Sequence, residues 1–309
     1  MSNPKLALIP SGQKATKVYS ILPSDGSGDF TFSRTGEATR VNKDGLIETV
    51  ATTVPRLDWL NSDCPNLLIE PVRTNRQVRS EEIDNAAWSK VNTTVTANQI
   101  TSPTGELSAD KVARTSTSAS YITDASTKSS SSQLDITTSV FVKKGEGDFF
   151  AFRSQGSYPN RGEVIYQFST NTLTTSVAGS NFSVVTSSVE NYGNGWYRLS
   201  ATFNTDTSSL IITLLSPRAT TGTVDNTDTS TTAFAYVWGV QVEEGSSLSS
   251  YIKTTSSTAT RNVEACSVTT PSGVTQIVET FSNNTTNTIT TIPATYNVSS
   301  GKIKKVIMT

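Results

Sequence analysis

Between Thr137 and Gly245 the hydrophobic positions recur at every second residue. In a β-strand neighbouring side chains point to opposite faces, so this rhythm predicts strands with one apolar side. Leu134, Ile136, Val140 and Val142 oppose Asp135, Thr137, Ser139 and Phe141, and Tyr197, Leu199, Ala201 and Phe203 oppose Trp196, Arg198, Ser200 and Thr202. The closing stretch, residues 233–245, reads the same way. Phe234, Tyr236, Trp238, Val240 and Val242 form a bulky face expected to build the core, and Ala233, Ala235, Val237, Gly239 and Gln241 a sparse face above the sheet. One-sided strands separated by turn residues predict an all-β chain built on an antiparallel, jelly-roll-type β-sandwich.

The flanks read differently. Leu6–Ile9, Val18–Leu22 and Asp29–Phe32 are short strand signals, and residues 42–45 (Asn-Lys-Asp-Gly) carry hairpin-turn chemistry, with Gly45 free to take a positive φ. Pro55, Pro65 and Pro71 punctuate a segment expected to run along a surface rather than inside a sheet. Ser80, followed by Glu81, Glu82 and Asp84, predicts one short helix ending at Trp88, which anchors it. Residues 115–132 and 220–232 read as polar loops, the first with a weak edge strand at most. After Pro271 come Val274–Phe281, Ile289–Ile292 and a final strand, Lys302–Met308. Lys302, Lys304 and Lys305 read as the charges of an exposed edge. Such a tail is too short for its own core and must dock elsewhere. The domains are therefore 1–75, an N-terminal attachment or collar segment; 76–253, the sandwich; and 254–309, strands that dock on the N-terminal segment or on a neighbouring protomer. Ala-Thr-Arg occurs at 38–40 and at 259–261. The repeat is either coincidence or a pair of strands that meet.

Composition narrows the chemistry. About three residues in ten are Ser or Thr, and the net charge is -1. That balance gives no basic stripe for nucleic acid, and no apolar run is long enough to insert in a membrane. Histidine is absent, which removes Ser-His-Asp and Cys-His catalysis and most zinc sites. The adjacent Glu243 and Glu244 point to opposite faces of a strand and cannot flank one glycosidic bond. The expectation is a protein that is not an enzyme and has no cofactor, though Asp225 and Asp228 with their neighbours offer oxygens of the kind a structural Ca²⁺ takes.

Several stretches resemble a module widespread in tailed-bacteriophage virion proteins. They are Arg34, Ala38-Thr-Arg40, Asn42 to Glu48, Pro55 to Asp58, Cys64 to Pro71 and Arg73-Thr-Asn75. In that family of tail-fibre and head-fibre appendages the module precedes a sandwich similar to carbohydrate-binding modules. The later runs Ser139 to Gly145, Asn194 to Arg198, Trp238 to Gly245, Ser250 to Ile252, Thr258 to Arg261, Ile292 to Tyr296 and Gly301 to Met308 match in order. The resemblance implies a non-enzymatic virion protein, assembled in the host cytoplasm. Its implied partners are other virion proteins, further copies of itself (a homotrimer by analogy) and a host surface glycan.

A sugar offers an apolar C–H face and a rim of hydroxyls, so its site needs an aromatic ring beside planar amide or guanidinium groups. On the polar faces the candidates are Trp196, Arg198, Gln241, Arg153 and Gln155, with Tyr158, Asn160 and Arg161 at a rim. Trp196 and Arg198 read equally as an edge cap and an ion-paired arginine. Two functions follow: an appendage that adheres to host glycans, or a purely structural decoration or assembly protein that binds none.

Overall fold

The computed structural model describes residues 3–309. The chain is all-β, with no helix among the described residues. It divides into two compact units: Arg73–Thr260, and the residues up to Val72 together with Arg261–Thr309.

The first unit is the sandwich. Its strands, numbered here from the sandwich's start, are β1 (Ser89–Val91), β2 (Thr93–Thr101), β3 (Leu107–Arg114), β4 (Tyr121–Thr127), β5 (Asp135–Glu146) and β6 (Phe149–Gln155). They continue with β7 (Arg161–Gln167), β8 (Thr172–Ala178), β9 (Ser183–Asn191), β10 (Trp196–Asn204), β11 (Leu210–Arg218) and β12 (Phe234–Glu244). Two antiparallel six-stranded sheets result: sheet A, in the order β1-β4-β11-β6-β7-β8, and sheet B, in the order β2-β3-β12-β5-β10-β9. Ile122, Phe150, Phe152, Val164 and Tyr166 from sheet A meet Ile136, Val140, Val142, Leu199 and Phe203 from sheet B in one core. The buried Ser154 hydroxyl donates to Thr138 Oγ1 across it at 2.8 Å, so neither oxygen lies in the core without a partner.

Strand β12 corrects the expected facing. Ala235, Val237, Val240 and Val242 enter the core, whereas Trp238 packs on the outer side against Phe141 and Tyr251. The cause is a bulge. Partner positions on β5 jump from Ser139↔Gln241 to Phe141↔Trp238, and Gly239 sits between them at φ 63°. One extra residue inverts the facing of everything before it. Phe234 and Tyr236 therefore also leave the core face.

The helix expected at Ser80 is absent. Residues 79–88 form successive turns closed by Glu82 N–H to Arg79 O, Asn85 N–H to Glu82 O and Trp88 N–H to Asn85 O. Instead of capping a helix, the Ser80 hydroxyl meets Tyr251 Oη at 2.8 Å. Ile83 and Trp88 are driven fully into the core, and burial of that size outweighs a weak helical preference. Within the stretch expected as a polar loop, β4 is an interior strand between β1 and β11, and Lys128 is buried, donating to Ser132 O at 2.9 Å and Asp206 O at 2.6 Å.

The second unit interleaves the two ends of the chain. One sheet runs Thr286–Ile289, Ile277–Phe281, Gly301–Met308, Asn66–Ile69, Arg56–Asp58, with Leu6–Leu8 also paired to 306–308. The other runs Gln13–Lys14, Lys17–Val18, Phe30–Ser33, Ala265–Thr269, Thr295–Asn297. Leu6, Phe30, Phe32, Leu67, Tyr296, Ile303 and Met308 share their core. Residues 56–58 and 66–69 are thus buried sheet strands, contrary to the surface path expected from the prolines, because the prolines lie outside the hydrogen-bonded stretches. Strand 301–308 is interior rather than an edge, and Lys302 pairs with Asp58 at 3.2 Å. The two Ala-Thr-Arg copies do not meet: 38–41 pairs with 47–50, and 259–261 with 73–75.

Arg34, Arg56, Glu70, Arg261 and Glu264 form a buried ion network here. Arg34 Nη1 lies 2.8 Å from Glu264 Oε1, Arg56 Nη2 2.8 Å from Glu70 Oε2, and Arg261 Nη1 3.1 Å from Glu70 Oε2. Four of these five residues belong to the stretches that carry the virion resemblance, and their work is to hold this fold. Cys64 is exposed, Cys266 is buried, and both are free thiols. Burial pushes the Cys266 thiol up to about 12.

Candidate functional site

The eight residues singled out from the sequence fall on opposite outer faces of the sandwich. Trp196, Arg198 and Gln241 stand on sheet B, where residues 249–252 cross over Arg198 and Gln241. Arg198 is 1% exposed; its Nη1 donates to Ser249 O at 2.8 Å, and its guanidinium lies 5.0 Å over the Phe141 ring. Gln241 accepts the Ile252 N–H at 2.7 Å and donates to Ser250 O at 3.4 Å. Trp196, 2% exposed, donates its indole N–H to Thr101 O at 3.1 Å. This face is a second packed layer. Arg198 and Gln241 hold the covering segment down, Trp196 is tied to the end of β2, and the three, all buried, offer nothing to a ligand in this state.

The buried carboxyl of Glu243 completes that layer by accepting the Ser249 N–H at 2.9 Å and its hydroxyl at 2.6 Å. Burial pushes its pKa up, against the opposing pull of those bonds and of Arg198.

Sheet A behaves differently. Its outer face carries Ala151, Arg153 and Gln155 of β6 beside Arg161, Glu163 and Ile165 of β7, by simple alternation and direct register. Part of it is covered by residues 219–232, whose Val224 seats on Ala151 and Leu214. That loop is organised by one cation: Arg218 donates to the carbonyls of Thr220, Thr223, Asn226 and Thr227. The oxygens read as candidate Ca²⁺ ligands are thus spent otherwise. Those four carbonyls face a guanidinium, Asp225 pairs with Arg153, and Asp228 lies 3.8 Å from Arg218. Among the described residues no cluster of three or more His, Cys, Asp or Glu is placed to hold a metal ion.

The end of sheet A beyond that loop presents Gln155, Tyr158 and Arg161, while Arg153, 3% exposed, lies beneath Asp225 of the loop. Arg153 Nε donates to Glu163 Oε1 at 2.6 Å and Nη1 to Gln155 Oε1 at 3.3 Å, while Nη2 meets Asp225. Burial works against the Arg153 charge, yet Asp225 and Glu163 hold its pKa above the ordinary value. Glu163 is shifted upward by burial in spite of Arg153, and its Oε2 is buried with no hydrogen-bond partner. Arg161 Nε sits 3.3 Å from Glu163 Oε1, and its guanidinium lies 5.3 Å over the Tyr158 ring. Tyr158 is 74% exposed. The loop beneath it is rigidly built: Asp206 Oδ2 accepts the Ser157 N–H at 2.8 Å and the Asn160 amide at 3.1 Å. A Cβ at Gly156 would fall 2.1 Å from Asp206 Oδ1, so only glycine fits there. Asn160 is therefore a brace of the loop rather than a contact on its rim.

Two residues of this cluster were missed in the sequence. Glu163 alternates with Arg161 and was visible as a polar position on a strand. Asp225 was read only as a metal ligand, because nothing local says that its loop folds back over the sheet. Chemically, the cluster offers an exposed ring carrying a guanidinium, an amide at its foot, and two arginines balanced by two carboxylates.

No protein-family model matches the chain, and no curated protein matches it in sequence. Among solved structures, the chain is similar to the enzymatically active domain of tailspike protein 4 of bacteriophage CBA120, at 9% identity and a TM-score of 0.34, over 55% of this chain and 21% of that one. The CBM22-1 xylan-binding domain of Xyn10C from Paenibacillus barcinonensis aligns at 12% identity and a TM-score of 0.32, over 55% of this chain and 92% of that one. The CBM22-1–GH10 modules of xylanase 10B from Clostridium thermocellum align at 17% identity and 0.30, over 60% and 30%. The chain spans less than a third of the first and last of these.

Proposed function

We propose that this is a non-enzymatic virion appendage protein of a tailed phage whose sandwich adheres to host surface glycans through the uncovered end of sheet A. The observation that carries the glycan reading is the solvent-exposed Tyr158 ring with Arg161 stacked on it, beside the Gln155 amide and the Arg153–Glu163 pair. A ring of this kind accepts the C–H face of a pyranose, and the Gln155 amide and Arg161 guanidinium are the planar groups that remain for its hydroxyls, the buried Arg153–Glu163 pair bracing them from beneath. The virion reading rests on the sequence resemblance, whose motifs recur in order along most of the chain. Single sites of this openness bind weakly, and a particle gains adhesion by presenting many copies.

The test is a glycan array probed with the intact chain, its Tyr158→Ala and Arg161→Ala variants, and Trp196→Ala. Loss of the aromatic platform is expected to weaken binding about tenfold, close to 1.4 kcal/mol. Trp196→Ala, if it folds, is expected to bind as the parent does. A chain that binds no glycan at any density would leave the purely structural role standing, and binding that survives both Tyr158→Ala and Arg161→Ala would move the site elsewhere.

A further inference from the structure

The sandwich has four edge strands, and three of them carry features that discourage pairing with another chain. Strand β1 is only 3 residues long. Strand β2 loses its register between Thr96 and Ile100, where Asn98 takes φ 53°. Strand β9 breaks register between Val184 and Thr186 and ends near the charged Glu190. Strand β8 has none of these. It pairs with β7 in unbroken register from Thr172↔Gln167 to Ala178↔Arg161, and it contains no charge, proline or glycine. Its outward side is nevertheless exposed, and Val177 is 42% accessible on the side of the strand that also carries Leu173.

We propose that β8 is the docking edge for a second copy of this chain, paired antiparallel about a two-fold axis through Thr175. The strand is its own complement. About Thr175, Leu173 falls opposite Val177 of the other copy, Thr174 opposite Ser176, and Thr172 opposite Ala178. The exposed Val177 is thereby covered by an apolar neighbour, the outer side gains Thr–Ser pairs, and no like charges meet. A partner of different sequence would require no such symmetry. Strand β9 touches β8 and exposes Val184 and Val185 of its own. An isologous pairing of this kind closes at two copies and turns sheet A into one continuous sheet across the pair.

Sedimentation of the intact chain over a wide concentration range is expected to show a twofold rise in mass. Thr174→Lys, a charge on the exposed side of the strand, is expected to hold the protein at monomer mass with an unchanged circular dichroism spectrum. Independently, Thr175→Cys in a Cys64→Ser background is expected to give a crosslinked dimer with a short thiol-to-thiol reagent, and to lose it when Thr174→Lys is added. A monomer at every concentration overturns the proposal. So does a dimer indifferent to Thr174→Lys, and so does a trimer or an open-ended series.

Discussion

Gly239 decides which side chains of the last sandwich strand see the core. At φ 63° a side chain is strained, and a Cβ there would approach Phe141 Cδ2 to 2.9 Å and Tyr251 Cε2 to 3.2 Å. Gly239→Ala is expected to destabilise the sandwich by about 1–3 kcal/mol, read as a lower urea midpoint by tryptophan fluorescence; an unchanged midpoint would contradict the strain argument. Glu243 gives a second expectation at this scale. Its folded-state pKa is raised by burial, so between the ordinary carboxylate value and the raised one the native state holds more protons than the unfolded chain. Stability from this group therefore declines as pH rises through that window and is fully present below it. Melting temperatures across mildly acid to neutral pH should show that slope in the parent and a flatter curve in Glu243→Gln. Parallel curves would mean that the carboxyl is not desolvated. The facing of residues 197–203 and 134–142 was legible because alternation there is unbroken. That of 234–238 was not, because an isolated glycine in a strand marks a bulge as readily as a small position, and the pattern was continued through it.

At the scale of elements, composition misled where tertiary burial overrode it. Residues 121–127 look like a polar loop, yet β4 lies between two strands because Ile122 meets the core and Asp124 and Ser126 on the same side are satisfied by Gln77. Ser80 to Trp88 has helix-start chemistry, and the need to bury Ile83 and Trp88 pulled it into turns. The loop 220–232 is held by one side chain rather than by a strand or an ion. Arg218→Met should free four carbonyls and uncover Arg153. Hydrogen exchange is expected to rise across residues 219–228 while strands β6 and β7 keep their protection. Protection unchanged in the loop would show that Val224 packing suffices. The candidate face itself was half legible: Arg153, Gln155, Tyr158 and Arg161 are near one another in sequence. Trp196, Arg198 and Gln241 shared the same polar signature, and only the fold reveals that all three are buried.

At the scale of the whole molecule, the chain is two cores, one of them assembled from both ends of the sequence. Each has its own apolar centre, so residues 73–260 produced alone are expected to unfold in one cooperative transition, with Trp88, Trp196 and Trp238 emitting as buried indoles until it occurs. A fragment that is molten would show that the sandwich depends on the rest. The ends of that fragment are already tied, since Thr74 and Thr260 share a hydroxyl bond of 2.8 Å.

That tie has a kinetic consequence. To join strands such as Leu6–Leu8 and Val306–Met308, an unfolded chain must close a circuit through everything between them, and an intervening stretch as long as Arg73–Thr260 adds an entropic cost on the order of 1 kcal/mol. Once the sandwich has formed, that circuit is pinched shut at its neck and the flanking strands search as though joined by a short tether. Refolding should therefore be sequential, the central body first and the two-ended one after it. Loosening the neck with Thr74→Gly and Thr260→Gly should slow the late phase and leave the early phase alone.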